Sequence, residues 1–394
     1  MILIKTFTLY NVNLSKMTDY TCETCAKSFK RKYNYEQHTE KKTCSNDKLH
    51  KKSKGQFYTV NYSYILEGLA GPTHNSTRII EPFAGKGDLL EWLKQFNISA
   101  PIEAYDIEPK KEGIIVRDTL LNPPDYKDAW IITNPPYLAR NKTENKEIFD
   151  LYNTNDLYKC FISCLSSQDC EGGILIIPAG FFFSSRAIDN KCRNDFMSKY
   201  KINKIKYFEE TVFPDTTTTV VAISFERSKE ELKTQNVEWT LMPSGEKRNF
   251  VMSREHNWII GGDIYSLTVP KDIKIRRHVE GQELKENEQQ TYMTLNALDS
   301  GLKDGRISLE YKQGYIYPAK DCSRTYATLR ISGINLSEEE QVDLCTRFNK
   351  FIEKKRKETW SLFLPQFRES KEYARKRIPF ELAYNIVLHL LQGK

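Results

Sequence analysis

No stretch of this 394-residue chain approaches the roughly 18 consecutive apolar residues that a membrane-spanning helix needs, so no membrane partner is expected. Met1 to Leu9 is apolar but short and lacks a small-residue cleavage site, so it is not read as a leader. Met17 is a second candidate for the start, and residues 1–16 are expected to be disordered. Nine cysteines, an odd number without a regular framework, argue against disulfides and for an intracellular, reducing compartment, cytoplasm or nucleus. Neither sign of charge dominates: 59 basic and 52 acidic residues leave a net charge of +7, which fits a polyanion partner without requiring one. There are no internal repeats. A hydrophobic content of 39% over this length allows two or three domains with real cores.

One tetrapeptide carries most of the chemical information. Asn134-Pro135-Pro136-Tyr137 closes the apolar run Trp130 to Thr133, and consecutive prolines fix φ and remove two backbone donors. They therefore hold a rigid turn at a strand end and not a place inside a sheet. An exocyclic amino or amide nitrogen is a poor nucleophile because its lone pair is delocalised. The Asn134 side-chain oxygen and the Pro135 carbonyl can accept its two N–H bonds and localise that pair, while Tyr137 stacks on the flat group. An isolated motif of this kind also suits an ordinary turn; the neighbouring segments favour the chemical reading.

About 50 residues upstream, Arg78 to Asp88 joins a short apolar strand to a Gly85-x-Gly87 turn, followed by the amphipathic Leu89, Leu90, Leu93 and Phe96. Glycines there let backbone approach a ligand closely. The dinucleotide fingerprint needs a third glycine where Leu90 stands, which argues against NAD and for a cofactor without a pyrophosphate. The next strand ends in Asp106, about 20 residues on, where a carboxylate can accept ribose hydroxyls; a third, Gly113 to Val116, precedes Asp118, which can hold an adenine amino group.

With these motifs in this order the chain resembles the S-adenosylmethionine-dependent DNA adenine-N6 methyltransferases whose cofactor motifs precede the catalytic one. The resemblance spans about residues 55 to 226: Gly55 to Thr59, Glu81 to Gly87, Asp106, Asp118, Asn134 to Tyr137, Asp156 to Lys159, Gly173 to Pro178 and Val212 to Asp215. It implies an α/β, Rossmann-like seven-stranded sheet, with Ile202 to Phe208 and Val220 to Phe225 as its last two strands and Ile188 to Tyr200 as a helix. It implies a cofactor site of Phe57, Thr59, Glu81, Ala84, Gly85, Gly87, Asp106, Ile107, Asp118 and Asn134. The catalytic set it implies is Asn134, Pro135, Pro136 and Tyr137, with Phe213 expected as a second aromatic wall against a flipped adenine in double-stranded DNA. A monomer is expected, with a cognate restriction endonuclease as a candidate partner. An RNA or protein-glutamine N-methyltransferase, or an inactive zinc-finger DNA-binding protein, are the alternatives.

Cys22-x2-Cys25-x12-His38-x5-Cys44 has the spacing of a C2HC zinc finger over residues 17–46, with Phe29 and Tyr35 placed for a small ββα core. A fold this small needs the metal for its folding free energy. Counting back from His38 puts Arg31, Asn34 and Gln37 at the helix positions that usually touch bases. A basic linker, residues 47–54, leads to the methyltransferase segment 55–234. From about residue 235 the βαβ rhythm stops, and 235–394 is expected to be a mixed α+β target-recognition domain. Within it Ser337 and Glu340 form a capping box for a helix with Val342, Cys345, Phe348, Phe351 and Ile352 on one face. Basic and aromatic residues interleave between Arg368 and Arg377, so Arg368, Arg375 and Lys376 are expected to face DNA.

Overall fold

A computed structural model of the chain describes residues 20–23, 26–40, 54–213, 216, 218–299, 306–318, 325–367 and 375–392. The expected disordered segment 1–16, nearly all of the 47–54 linker, Cys25, Cys44 and Arg368 lie outside the described residues. The chain divides into two compact units, residues 1–55 and 56–394.

In the first unit β1 (Tyr20–Thr21) and β2 (Ser28–Phe29) pair antiparallel and α1 (Lys32–Glu40) follows, a ββα order. Aromatic rings form its core: Phe29 lies 6.2 Å from Tyr35 and 4.8 Å from His38, and Tyr20 stacks on Tyr35 at 5.9 Å. Cys22 is buried in the turn between the strands, where its N–H donates to the Lys27 carbonyl at 2.9 Å and its carbonyl accepts from Ala26 at 2.8 Å.

The second unit opens with α2 (Tyr62–Leu66), then β3 (Ile79–Glu81), α3 (Asp88–Leu93), β4 (Ile102–Asp106), β5 (Ile115–Val116) and β6 (Trp130–Thr133). There follow α4 (Glu147–Leu151), α5 (Leu157–Ser167), β7 (Gly172–Pro178), α6 (Gly180–Phe183), α7 (Ala187–Lys199), β8 (Tyr200–Phe208) and β9 (Val220–Arg227). With β10 (Thr234–Met242) and β11 (Glu246–Ser253) these strands form one sheet in the order β11-β10-β8-β9-β7-β6-β3-β4-β5. From β5 to β7 all neighbours are parallel, whereas β9 runs antiparallel to both β7 and β8. β7 is buried along its whole length, as a strand covered on both faces must be. Alternate residues feed two cores. Ile131, Leu175 and Ile177 join the side that holds α5 and α7, while Trp130, Ile132, Ile174 and Ile176 join the side that holds α2 and α3.

The expected seven strands are nine. β10 pairs parallel with β8 and β11 folds back on β10, so the sheet runs on to Ser253 and a boundary at residue 234 would cut it. The loss of βαβ rhythm is real, but a hairpin extends a sheet without a crossover helix.

Beyond it, β12 (Lys274–His278), β13 (Glu288–Asn296), β15 (Ser308–Tyr311) and β16 (Tyr326–Ser332) make an antiparallel sheet. β14 (Leu298–Asp299), β17 (Gln366–Phe367) and β18 (Arg375–Arg377) make a small one. α8 (Glu338–Thr359) and α9 (Phe380–Gln392) complete the second core. Ser337 caps α8 as expected: its N–H donates to Glu340 Oε2 at 2.9 Å and its Oγ accepts from the Glu340 N–H at 3.3 Å. Val342, placed on the apolar face by its spacing, is 46% exposed, and Leu344 is buried in its stead, one turn before Phe348.

Candidate cofactor and catalytic site

In an open parallel sheet the ligand crevice lies beyond the carboxyl ends of the strands where their order reverses. That point falls between β3 and β6, since β4 continues on one side and β7 on the other. Glu81 ends β3 and Asn134 directly follows β6, so the sheet itself brings these two segments to one crevice.

Glu81 is 1% exposed, and its Oε2 has no hydrogen-bond partner among the described residues. Burial, reinforced by Asp88 and Asp106, pushes its carboxyl well above the usual range. A buried carboxylate oxygen left bare is costly, and a ligand ammonium or hydroxyl fits that vacancy in hydrogen bonding. The turn that follows requires glycine: φ is +52° at Gly85 and +78° at Gly87. A Cβ at Gly85 would lie 2.9 Å from the Tyr58 ring, and one at Gly87 would lie 2.9 Å from Lys111.

Asp106 braces this turn. Its Oδ2 accepts the Gly85 N–H at 2.8 Å and its Oδ1 the Glu108 N–H at 2.7 Å, while the Ala84 N–H donates to the Tyr105 carbonyl at 2.8 Å. Each carboxylate oxygen keeps a second acceptor site. Asp118 Oδ1 closes its own turn, accepting from the Leu120 and Leu121 N–H groups, both at 3.0 Å. Ile107, at the end of β4, is 50% exposed, and Leu121, beyond β5, is 43% exposed.

Asn134 is held from far away in sequence. Its Nδ2 donates to the Phe57 carbonyl at 2.7 Å and to Thr59 Oγ1 at 3.1 Å, and its Oδ1 accepts from the Tyr137 hydroxyl. The carbonyl-type oxygen therefore keeps one lone pair for a further donor. Among the described residues nothing donates to the Pro135 carbonyl. Tyr58, between Phe57 and Thr59, lies beside the glycine turn, with Lys86 Nζ 4.8 Å over its ring, so Phe57 to Thr59 bridges that turn and the Asn134 loop.

The two expected aromatic walls sit differently from expectation. The Tyr137 hydroxyl also lies 2.8 Å from the Ile176 carbonyl, and its half-buried ring is 5.5 Å from Phe57 and 6.2 Å from Tyr158. Phe213 is 1% exposed, in the core shared by Ile174, Ile176 and Val220, against which Tyr137 also packs. Phe213 is enclosed in that cluster while Tyr137 is half-buried, so stacking of Phe213 on a base would require it to leave the cluster. Asp156, directly before α5, pairs with Ala139 of the loop in an isolated bridge. Its Oδ1 is buried without a partner among the described residues, and burial pushes its carboxyl pKa up to about 6.

Among the DNA-facing candidates, Lys376 is corrected. It is not a surface cation: its Nζ donates to the Trp360 carbonyl at 2.9 Å and lies 3.5 Å from Glu209, with side chains 12% and 4% exposed. Burial lowers the Lys376 pKa and raises that of Glu209. Arg375, its neighbour in β18, is half-buried. In the first unit Arg31 and Asn34 are exposed, and Gln37 is half-buried on α1. Among the described residues no three His, Cys, Asp or Glu side chains are grouped to hold a metal; of the four expected ligands only Cys22 and His38 are described.

A family model, the Eco57I restriction-modification methylase, matches residues 85–213, from the glycine turn to Phe213. That part of the chain is similar to a restriction-modification methylase. Among solved structures, the chain is similar to the type I restriction-modification methyltransferase subunit from Streptococcus thermophilus. The two are 12% identical with a TM-score of 0.37, over 53% of this chain and 59% of that one. It is also similar to the type I restriction enzyme EcoKI M protein, at 17% identity and a TM-score of 0.34, over 47% of this chain and 48% of that one. For the type IIG restriction endonuclease BpuSI the values are 15% and 0.36, over 62% and 37% of the respective chains. The chain spans about half the length, 52%, of each of the first two solved structures it matches. No curated protein matches it.

Proposed function

We propose that the chain is a DNA methyltransferase that moves the methyl group of S-adenosylmethionine to the N6 amino group of an adenine flipped out of duplex DNA. The observation that carries this reading is Asn134. Its amide is fixed at the carboxyl end of β6, beside the strand-order reversal, by the Phe57 carbonyl and Thr59 hydroxyl, with acceptor capacity left on Oδ1. The family match over residues 85–213 supports it.

Glu81, Asp106, Asp118 and Ile107, with the backbone at Ala84, Gly85 and Gly87, would hold the cofactor, whose sulfonium supplies an electrophilic methyl. The bare Glu81 Oε2 suits its ammonium group and the glycine turn suits close backbone approach. Asn134 Oδ1 and the Pro135 carbonyl accept the two amino hydrogens, localise the nitrogen lone pair and stabilise the positive charge that develops as the new bond forms. Fixing the donor and acceptor groups before reaction supplies the proximity term. Tyr137 and Phe213 would clamp the base once Phe213 has moved, at about 1–3 kcal/mol of stacking per ring; flipping costs a few kcal/mol. Cys22, Cys25, His38 and Cys44 would hold one structural zinc, a donor set of the kind that metal prefers.

The test is sequencing of DNA from a methylation-free host that expresses the chain. N6-methyladenine at one recurring site is expected. Methyl transfer in vitro to RNA or to a glutamine side chain, with DNA unmodified, would overturn the reading.

A further inference from the structure

The segment that fixes Asn134 also fixes the loop that bears Phe213. Asn61 Nδ2 donates to the Val212 carbonyl at 3.0 Å, and the Tyr64 hydroxyl donates to Glu210 Oε1 at 2.5 Å. Neither residue belongs to a motif that the sequence singled out. α2 itself is tied down, because Lys206 of β8 donates to the Tyr64 and Glu67 carbonyls at 2.8 and 3.0 Å and Lys204 donates to the Gly68 carbonyl at 3.2 Å. These cations satisfy helix-end carbonyls that would otherwise lack partners. From the other side, Glu209 is held by Lys376 at 3.5 Å. Ile65 and Leu66 of α2 share one buried cluster with Val212 and Phe213.

We infer that Asn61 and Tyr64 are positioning residues: residues 57–64 set the acceptor Asn134 and the Phe213 loop from one piece of chain, so that base capture depends on contacts well outside the catalytic motif. This deepens the reading of Phe213 as a base wall and rests on it. The path is short and continuous. Phe57 and Thr59 hold Asn134, and Asn61 and Tyr64 hold residues 210–212, all within eight residues.

The experiment compares Asn61→Ala, Tyr64→Phe, Glu210→Ala and Glu210→Gln with the full-length protein. Amide exchange of the peptide covering residues 208–213 is the first readout. Tyr64→Phe and Asn61→Ala should each speed exchange there by about fivefold to tenfold, the scale of one hydrogen bond, without changing S-adenosylmethionine affinity by more than about twofold. Glu210→Gln retains an acceptor for the Tyr64 hydroxyl and should restore most of what Glu210→Ala loses. The second readout is a duplex with 2-aminopurine at the target. Tyr64→Phe should weaken the fluorescence rise and raise KM for the duplex by a similar factor, with a smaller change in kcat. Exchange at 208–213 unchanged in folded variants would overturn the positioning role. Faster exchange with an unchanged fluorescence rise and KM would overturn the link to base capture. A wild-type protein that shows the exchange effect and methylates no DNA would overturn the proposed function, leaving the positioning contacts standing.

Discussion

Replacing Asn134 with alanine should separate chemistry from cofactor binding, but not completely, because the side chain does two things. Nδ2 ties down Phe57 and Thr59, and Oδ1 is the acceptor left at the strand end. Asn134 is 9% exposed, so its loss leaves the Phe57 carbonyl and Thr59 hydroxyl in a largely dry place, while the Tyr137 hydroxyl keeps the Ile176 carbonyl 2.8 Å away. At about 1–3 kcal/mol for each of the two buried groups left without a partner, the fold should lose about 2–6 kcal/mol. The preorganised acceptor is worth about 10²- to 10³-fold in turnover. Cofactor affinity should fall only a few-fold, through the loosened Phe57 to Thr59 segment. Calorimetry with S-adenosylmethionine, transfer of labelled methyl to duplex DNA and a thermal melt give the three numbers. Equal losses of affinity and turnover would refute the assignment, since they would make Asn134 only a strut for the cofactor segment.

Asp106→Ala should reverse that order, with cofactor affinity falling first, because the glycine turn loses its acceptor for the Gly85 and Glu108 N–H groups; calorimetry that finds affinity intact would count against it. Lys376→Ala should cost about 3–5 kcal/mol in denaturant titration, since it strands a buried Glu209, while leaving the salt dependence of DNA binding unchanged. A shallower salt slope without destabilisation would return Lys376 to the DNA surface. Asp156 has a carboxyl raised from 3.8 to about 6. The folded state then holds its proton more tightly than the unfolded chain, so stability should fall as pH rises from about 4 to 6. Asp156→Asn should flatten that slope in urea titrations; a slope that persists would assign it to other groups. Purified protein should carry close to one zinc by elemental analysis, and Cys22→Ser should release it with the catalytic core still folded, because residues 1–55 form their own unit; zinc near zero would end the ligand assignment.

Local features were legible because neighbours a few residues apart determine them. The Gly85-x-Gly87 turn after a buried strand, the proline-locked loop after β6 and the Ser337 capping box all follow from backbone conformation and short-range hydrogen bonding, and the structure has each where the spacing puts it. The sequence pointed to Asn134 as a candidate acceptor, but not to what holds it, since its partners Phe57 and Thr59 stand 77 and 75 residues away. Sequence alone settled the alternation of apolar strands and glycine turns and the order of the motifs, since both depend on residue type and spacing. Packing between distant elements decided the rest. It added β10 and β11 to the sheet, because hydrogen-bonding edges accept a hairpin whatever its place in the chain. It turned the basic residue Lys376 into a buried partner of Glu209, since a charge run says nothing of what lies opposite it. It drew Phe213 into the apolar core, because an aromatic ring gains by leaving water for a packed apolar cluster.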